Sequence, residues 1–183
     1  MQNEITSKTK LLDGSGNITN PGFAKTMLYE YNREAIKANL FRVKEWDFYQ
    51  VTMGDFILKF TFGNISYVAN FTAELFNVVT KESHSFARMK FLPFGSIKLP
   101  TYPEGPGEME AKGKDYHMSI KIEDQRRILK LKGIDKKMGY VDINVELNNN
   151  PANEKLVIAT PFEKEGRFYL NYKENYYGGK GTV

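Results

Sequence analysis

The stretch FILKFTFGNISYVANFTAEL, residues 56–75, decides the fold class. Apolar side chains fall at every second position of its first half, namely Phe56, Leu58, Phe60 and Phe62. The same alternation fills its second half, at Ile65, Tyr67, Ala69, Phe71, Ala73 and Leu75. Alternation with a period of two is typical of strands that bury one face, and the glycine and asparagine at 63–64 indicate a turn between them. The stretch therefore predicts two antiparallel strands.

Two later segments repeat the pattern, YHMSIKIE at 116–123 and YVDINVEL at 140–147. Further turn signals occur at 54–55, 135–136 and 163–166. Aromatic residues make up 14% of the 183-residue chain, and aromatic side chains favour strands. We therefore predict an all-β protein, an antiparallel meander that closes into a β-barrel or folds into a curved β-sandwich.

The N-terminal segment differs from this pattern. Residues 1–30 are rich in turn formers, and YNREAIKANL at 31–40 is the best helix candidate. Asn32 can cap that helix and Glu34 falls in its first turn. We predict an N-terminal arm with one short helix over residues 1–39 and a barrel-like domain over 40–183. The Pro- and Gly-rich segment 99–115 is expected to be a long loop.

Composition excludes several kinds of chemistry. The chain has no Cys and only two His, so it lacks thiolate metal sites and cysteine nucleophiles, and we predict neither a metal site nor a cofactor. No apolar run is long enough to span a membrane and the N-terminus lacks a secretory signal, so a cytoplasmic protein is expected. Between Lys112 and Lys137 nine basic residues face four acidic ones. A solvated hairpin explains that excess better than nucleic-acid binding, so no nucleic-acid partner is predicted.

The segment VKEWDFYQV, residues 43–51, concentrates charge within a predicted strand. Glu45 and Asp47 lie two positions apart, so they share a face at roughly 6–7 Å. Two carboxylates at that distance could act as acid and base, which makes them the candidate catalytic residues. They could equally bind the guanidinium of Arg33 or Arg42 and tie the helix to the strand, and this structural use is the favoured interpretation.

Trp46, the single tryptophan, and Phe48 alternate with those carboxylates. Trp46 could fill the core or line a pocket, and the core is the favoured interpretation. Phe41 and Val43 share the parity of the carboxylates rather than that of Trp46. The buried face is therefore expected to change near Lys44, through a β-bulge or at a barrel corner.

Two strings suggest a family, GFAKTMLYEYNRE at 22–34 and RVKEWDFYQV at 42–51. Together they resemble the N-terminal part of a largely bacterial family known as domain of unknown function 2804. That family resembles in turn the lipocalin-like group of AttH-type proteins, carotenoid hydratases and tocopherol cyclases. The resemblance implies a lipocalin-like β-barrel or a related curved sandwich, with the handling of apolar ligands as a shared theme.

The leading functional hypothesis is the binding of an apolar or amphipathic small molecule, such as a lipid or isoprenoid, in the barrel cavity. The candidate ligand-binding residues are Trp46, Phe48, Phe60, Tyr67 and Arg33. One alternative is an enzyme that hydrates, cyclises or isomerises such a lipid, with Glu45 or Asp47 as proton donor. Another is a structural half-domain that packs on a second β domain or on a second copy of the chain.

Overall fold

A computed structural model describes residues 3–39, 41–93, 96–97, 99–100, 103–175 and 178–183. Strands make up 57% of the structure and helix 2%, which confirms the all-β prediction. The described chain divides into two units. The smaller unit contains residues 3–39, Pro103 and 149–175, and the larger contains the remaining described residues. The predicted boundary at 39–40 lies where one unit gives way to the other, and Leu40 itself lies outside the described residues.

The larger unit contains two antiparallel sheets. The first comprises, in this spatial order, β4 (Glu45–Met53), β5 (Phe56–Asn64), β6 (Val68–Asn77) and β7 (Ser83–Phe91). The second comprises β8 (Gly107–Lys112), β9 (Tyr116–Glu123), β10 (Arg126–Asp135), β11 (Gly139–Asn148) and β14 (Gly178–Thr182). Its spatial order is β14-β11-β10-β9-β8. Neighbours in the chain are therefore mostly neighbours in the sheet, as short hairpin turns require.

Local chemistry sets these turns. Gly54 adopts a φ of +57° between β4 and β5, a left-handed conformation that glycine tolerates without steric cost. The Asp135 carboxylate accepts hydrogen bonds from the backbone N–H groups of Lys137, at 2.8 Å, and Met138, at 3.2 Å. That carboxylate holds the reversal between β10 and β11 in place.

The alternating apolar residues fill the space between the two sheets. The first sheet contributes fully buried aromatic rings, those of Phe60, Phe62, Phe71 and Phe86. The second sheet contributes fully buried aliphatic chains, among them Met118, Ile120, Leu129 and Leu131. The rings of Phe62 and Phe71 meet edge to face at 5.0 Å. Each such side chain stabilises the fold by about 1.5–3 kcal/mol through burial.

Arg88 joins the edge strand β7 to the opposite sheet. Its Nη2 donates hydrogen bonds to Asp115 Oδ2 at 2.8 Å and to the carbonyl oxygen of Ile134 at 2.6 Å. The guanidinium also lies over the Phe86 ring at 4.3 Å and the Tyr116 ring at 5.7 Å. Hydrogen bonds and cation–π contacts thus fix the spacing of the two sheets at this edge.

The described sheets are open, and neither closes on itself into a barrel. β4 and β7 are the two edges of the first sheet, and β8 and β14 are those of the second. The larger unit is therefore a β-sandwich. The sandwich alternative is confirmed and the barrel is wrong, because alternation specifies a buried face but not whether the last strand pairs with the first.

The smaller unit contains a mixed set of short strands. These are β1 (Thr9–Lys10), β2 (Gly22–Ala24), β3 (Tyr29–Glu30), β12 (Leu156–Pro161) and β13 (Phe168–Lys173). β1 and β3 pair in parallel, whereas β12 pairs in antiparallel fashion with both β13 and β2. Leu11, Ala24, Tyr29 and Val157 are fully buried at its centre. The N-terminal segment is therefore a packed part of this unit.

The predicted N-terminal helix is wrong. Among the described residues 31–39, a single 3₁₀ turn forms, over Arg33–Ala35. Asn32 does cap it as expected, because its Oδ1 accepts a hydrogen bond from the Glu34 N–H at 3.0 Å. The chain turns extended at Ile36, which packs on the smaller unit's core. A helix this short cannot offset the cost of its nucleation without a buried face along its length.

The predicted loop at 99–115 is also wrong in part. β8 occupies Gly107–Lys112 and pairs with β9. Met109 and Ala111 face the core while Glu108 and Glu110 face outward. The alternation of β8 is short, and the prolines and glycines before it led to the prediction of a loop.

Replacing Gly133 with Ala tests the packing between the sheets. A Cβ at this position would lie 2.8 Å from Cε2 of Phe86, so the ring would have to move. We expect Gly133→Ala to lower the free energy of unfolding by about 1–3 kcal/mol in urea titrations followed by circular dichroism. Gly178→Ala is the control, because a Cβ there meets nothing within 4 Å. Equal stability of the two variants would contradict this packing.

Candidate functional site

The charged segment 43–51 forms most of edge strand β4. Its pairing with β5 runs without interruption from Glu45 opposite Asn64 to Met53 opposite Phe56. No bulge interrupts it, so the predicted change of buried face near Lys44 is wrong. Glu45 and Asp47 occupy the inward-facing positions of β4, and Trp46 and Phe48 occupy the outward-facing positions.

Asp47 is the candidate catalytic residue that the structure places in an unusual environment. It faces the sandwich interior, and the hydroxyl of Tyr49 donates a hydrogen bond to its Oδ2 at 2.9 Å. Burial raises the pKa of Asp47, although the Tyr49 hydrogen bond and the positive charge of Arg127 lower it. Burial dominates because a carboxylate loses its hydration inside the protein. The site therefore favours the protonated acid more than water does.

Arg127 approaches this carboxylate from the opposite sheet. It lies on the inward face of β10 with Leu129 and Leu131, and only 2% of the residue is exposed. Its Nη1 donates to the backbone oxygen of Arg126 at 3.3 Å. Placing a buried guanidinium opposite a half-buried carboxylate costs free energy of desolvation, so the pair specifies a position more than it adds stability.

Tyr49 and Arg127 did not emerge as candidates from the sequence. A signal for Arg127 was nonetheless present, since it shares the parity of Leu129 and Leu131 in RRILKLKG. A charged residue at an inward position is the exception that marks a polar site in a core.

Glu45 opens β4 on the same side as Asp47 and is half-buried. The expectation that it ties down Arg33 or Arg42 stays a prediction.

The five predicted ligand-binding residues lie in different environments. Trp46 and Phe48 point outward from β4 and are about half exposed, at 52% and 48%. The expectation that Trp46 is buried is therefore wrong. Phe60 is fully buried in the sandwich core, whereas Tyr67, just before β6, is exposed. Arg33 belongs to the 3₁₀ turn of the smaller unit. Within the larger unit, Trp46 and Phe48 lie on the opposite face of the sheet from Phe60.

An apolar pocket of about 200 Å³ opens elsewhere in the larger unit, between the two sheets. β6 and β7 form one wall and β11 with the turn before it forms the other. The lining residues are Ala73, Leu75, His84, Phe86, Met138, Tyr140, Val141, Asp142, Ile143 and Val183. Sequence reasoning missed this pocket because its walls come from strands that are distant in the chain.

The polar groups of the lining lie on both walls. His84 is exposed on β7. Tyr140 and Asp142 alternate with the buried Ile143, so their side chains lie on the outer face of β11. There the Tyr140 hydroxyl donates to Asp142 Oδ2 at 3.2 Å, and Lys132 Nζ lies 3.6 Å from the same oxygen. Among the residues that the structure describes, no group of three or more His, Asp or Glu side chains could hold a metal ion.

One comparison with known proteins bears on identity. The family model described as "Domain of unknown function (DUF2804)" matches residues 2–183. The chain belongs to the DUF2804 family. A search of the curated proteins found no match to this DUF2804 chain. No helix in its described residues is long and apolar enough to cross a membrane.

The raised pKa of Asp47 gives the stability a defined dependence on pH. The folded state holds the Asp47 proton to higher pH than the unfolded state does. The free energy of unfolding should therefore fall as pH rises from about 4, the pKa of an unperturbed aspartate, through the pKa in the fold. Asp47→Asn removes the ionisation, and its amide oxygen can still accept the Tyr49 hydrogen bond.

We expect the stability of Asp47→Asn, relative to the unsubstituted protein, to increase from pH 4 to pH 8 in urea titrations. Asp124→Asn, in the exposed turn between β9 and β10, is the matched control. A relative stability of Asp47→Asn that stays constant over this range would contradict the raised pKa.

Proposed function

We propose that this DUF2804 protein binds an apolar or amphipathic small molecule of lipid or isoprenoid type. The observation that carries the proposal is the apolar pocket between β6, β7 and β11. Concave, mostly apolar pockets with a few polar groups are the usual sites for such ligands. The pocket lies between two open sheets, so the ligand would enter at the edge of a sandwich rather than at the mouth of a barrel.

The lining matches a ligand with an apolar body and a polar end. Leu75, Phe86 and Ile143 offer apolar side chains, and burying a ligand chain against them contributes about 0.8 kcal/mol per CH₂ group. His84 lies on the same face of β7 as the buried Phe86 and could hydrogen-bond a hydroxyl or carboxyl group. A ligand of this kind would leave no buried polar group unpaired.

The volume limits the size of the ligand. About 200 Å³ is less than the roughly 300–1,000 Å³ of sites for drug-sized molecules. The pocket therefore suits a short chain, or one end of a longer lipid whose remainder stays outside. Kinship with lipocalin-like proteins is part of this proposal and implies the same ligand class.

Decanoate is a suitable first probe, and Met138 is a built-in reporter. Met138 lines the pocket, so we expect its ¹³C-methyl NMR signal to shift on titration with decanoate. Met27 is buried in the core of the smaller unit and is not among the lining residues, so its signal is the internal control. Val141→Phe should fill the pocket and weaken binding by roughly tenfold, the loss of about two buried CH₂ contacts.

Val79→Phe is the matched control variant, because Val79 is exposed in the turn after β6. Equal shifts of Met138 and Met27, or unchanged binding in Val141→Phe, would refute the pocket as the binding site.

A second candidate function is catalysis of proton transfer to an unsaturated lipid, and the half-buried, inward-facing Asp47 favours it. A carboxylic acid with a raised pKa, held by Tyr49 and faced by Arg127, has the properties of a general acid. In a hydration, Asp47 would give its proton to one alkene carbon while water adds to the other carbon and returns a proton. Asp47 lies on β4, at the opposite edge of the sheet from β7, so it does not line the pocket. Binding is therefore the primary proposal.

Incubation with oleate in D₂O tests this second candidate. Hydration would produce a hydroxy acid with deuterium on the adjacent carbon, detectable by mass spectrometry. We expect Asp47→Asn to lower the yield by roughly a hundredfold or more, and Asp124→Asn to leave it unchanged. Absence of product from the unsubstituted protein would remove hydration from consideration.

A further inference from the structure

Exposed apolar side chains concentrate at one end of the β4–β7 sheet, where β4 and β6 begin and β5 and β7 end. We call this group the apolar tip, and it consists of Trp46, Tyr67, Met89, Phe91 and Leu92. Phe91 is the most exposed of them at 69%. An exposed apolar cluster of this kind usually marks a surface for interaction.

The strand register brings these residues together. Phe91 pairs with Val68, directly after Tyr67, and the Leu92 N–H donates to the Tyr67 carbonyl at 2.8 Å. Trp46 and Met89 occupy one row across the sheet, connected through Gly63 and Asn70. Three inter-strand spacings separate the ends of that row, or roughly 14 Å. The tip is therefore one contiguous end of the sheet.

The fold does not need these side chains to be apolar. The core of the sandwich is filled by the opposite face of the same strands, through Phe60, Phe62 and Phe71. Trp46 and Met89 point away from that core. Packing of the sandwich core therefore does not account for the apolar character of the tip.

Basic side chains border the tip. Arg42, Lys44 and Lys90 are all exposed at the same end of the sheet. Within the described part of the chain, neither Arg42 nor Lys44 pairs with a carboxylate. Lys90 Nζ donates to the neutral Ser96 Oγ at 2.9 Å. Glu45, the carboxylate that opens β4, faces the other side of the sheet.

We propose that the apolar tip docks on an anionic phospholipid surface. Trp and Tyr side chains favour the boundary between lipid headgroups and acyl chains, because their rings are apolar and their N–H or O–H groups remain hydrated. Exposed Arg and Lys beside them are attracted to anionic headgroups, at about 1 kcal/mol each near the surface. The inference does not depend on the proposed pocket.

A membrane explains the tip better than a protein partner does. A specific protein interface takes about 20–30 residues from each side with matched shape. The tip offers five apolar side chains and three cations on strand ends, and a fluid lipid surface requires no matched shape.

Trp46 makes the test direct, because it is the only tryptophan and belongs to the tip. We expect the full chain to co-sediment with mixed phosphatidylcholine–phosphatidylserine vesicles and much less with pure phosphatidylcholine vesicles. Its tryptophan emission should shift to shorter wavelength with the mixed vesicles. No co-sedimentation and no shift would overturn the proposal.

Two pairs of variants distinguish vesicle binding through the tip from non-specific hydrophobic or electrostatic adsorption. Phe91→Ser with Leu92→Ser should weaken vesicle binding by roughly tenfold or more. Its control is Val79→Ser with Phe162→Ser, which removes exposed apolar side chains elsewhere. Arg42→Glu with Lys44→Glu should also weaken binding by roughly tenfold or more. Its control, Lys130→Glu with Lys136→Glu, changes net charge equally at exposed positions outside the tip.

Equal losses in the tip variants and their controls would overturn the proposal. So would self-association without vesicle binding, if Phe91→Ser with Leu92→Ser abolished it. That result would assign the tip to a second copy of the chain.

Discussion

Burial of the aromatic face of β5–β7 against the aliphatic face of β9–β11 is the interaction on which the larger unit depends. Each strand offers one side chain in two to this interior, and Phe60, Phe71 and Leu129 are excluded from water as a result. Because protein interiors pack as densely as crystals, the rings leave no room for a different register. Arg88 then fixes the spacing at one edge by bonding across the gap. The pocket exists where this packing ends, between β7 and β11.

The same alternation accounts for the polar residues inside. Once the register of β4 is set by its apolar neighbours, Asp47 and Tyr49 must face inward, and Arg127 must do so on β10. Burying these polar groups opposes folding unless they form hydrogen bonds or ion pairs with one another. The arrangement therefore specifies their positions more than it stabilises the fold. The scaffold thus holds a carboxyl, a phenol and a guanidinium in one interior.

The sequence predicted the fold class but only parts of the site. Alternation in residues 56–75 identified β5 and β6, because period two depends on local sequence alone. It could not show that the sheets stay open, since closure depends on which strands meet across the whole chain. Trp46 was misplaced because a tryptophan was expected in the core, which required the buried face to change near Lys44, whereas uninterrupted pairing with β5 keeps Trp46 outward. Asp47 was found from its spacing, but its partner Arg127 lies on a distant strand and only packing brings the two together.

The position of β14 has a consequence for how the molecule is made. Asn148 of β11 pairs with Gly178 of β14, although the chain between them belongs to the smaller unit. The larger unit therefore gains its last strand only after residues 149–177 have been synthesised. Until then β11 carries an open edge, and unpaired edges are where strands of other molecules can add. Residues 149–177 supply strands to the smaller unit. The time needed to synthesise them is therefore the time for which the edge of β11 in the larger unit can aggregate.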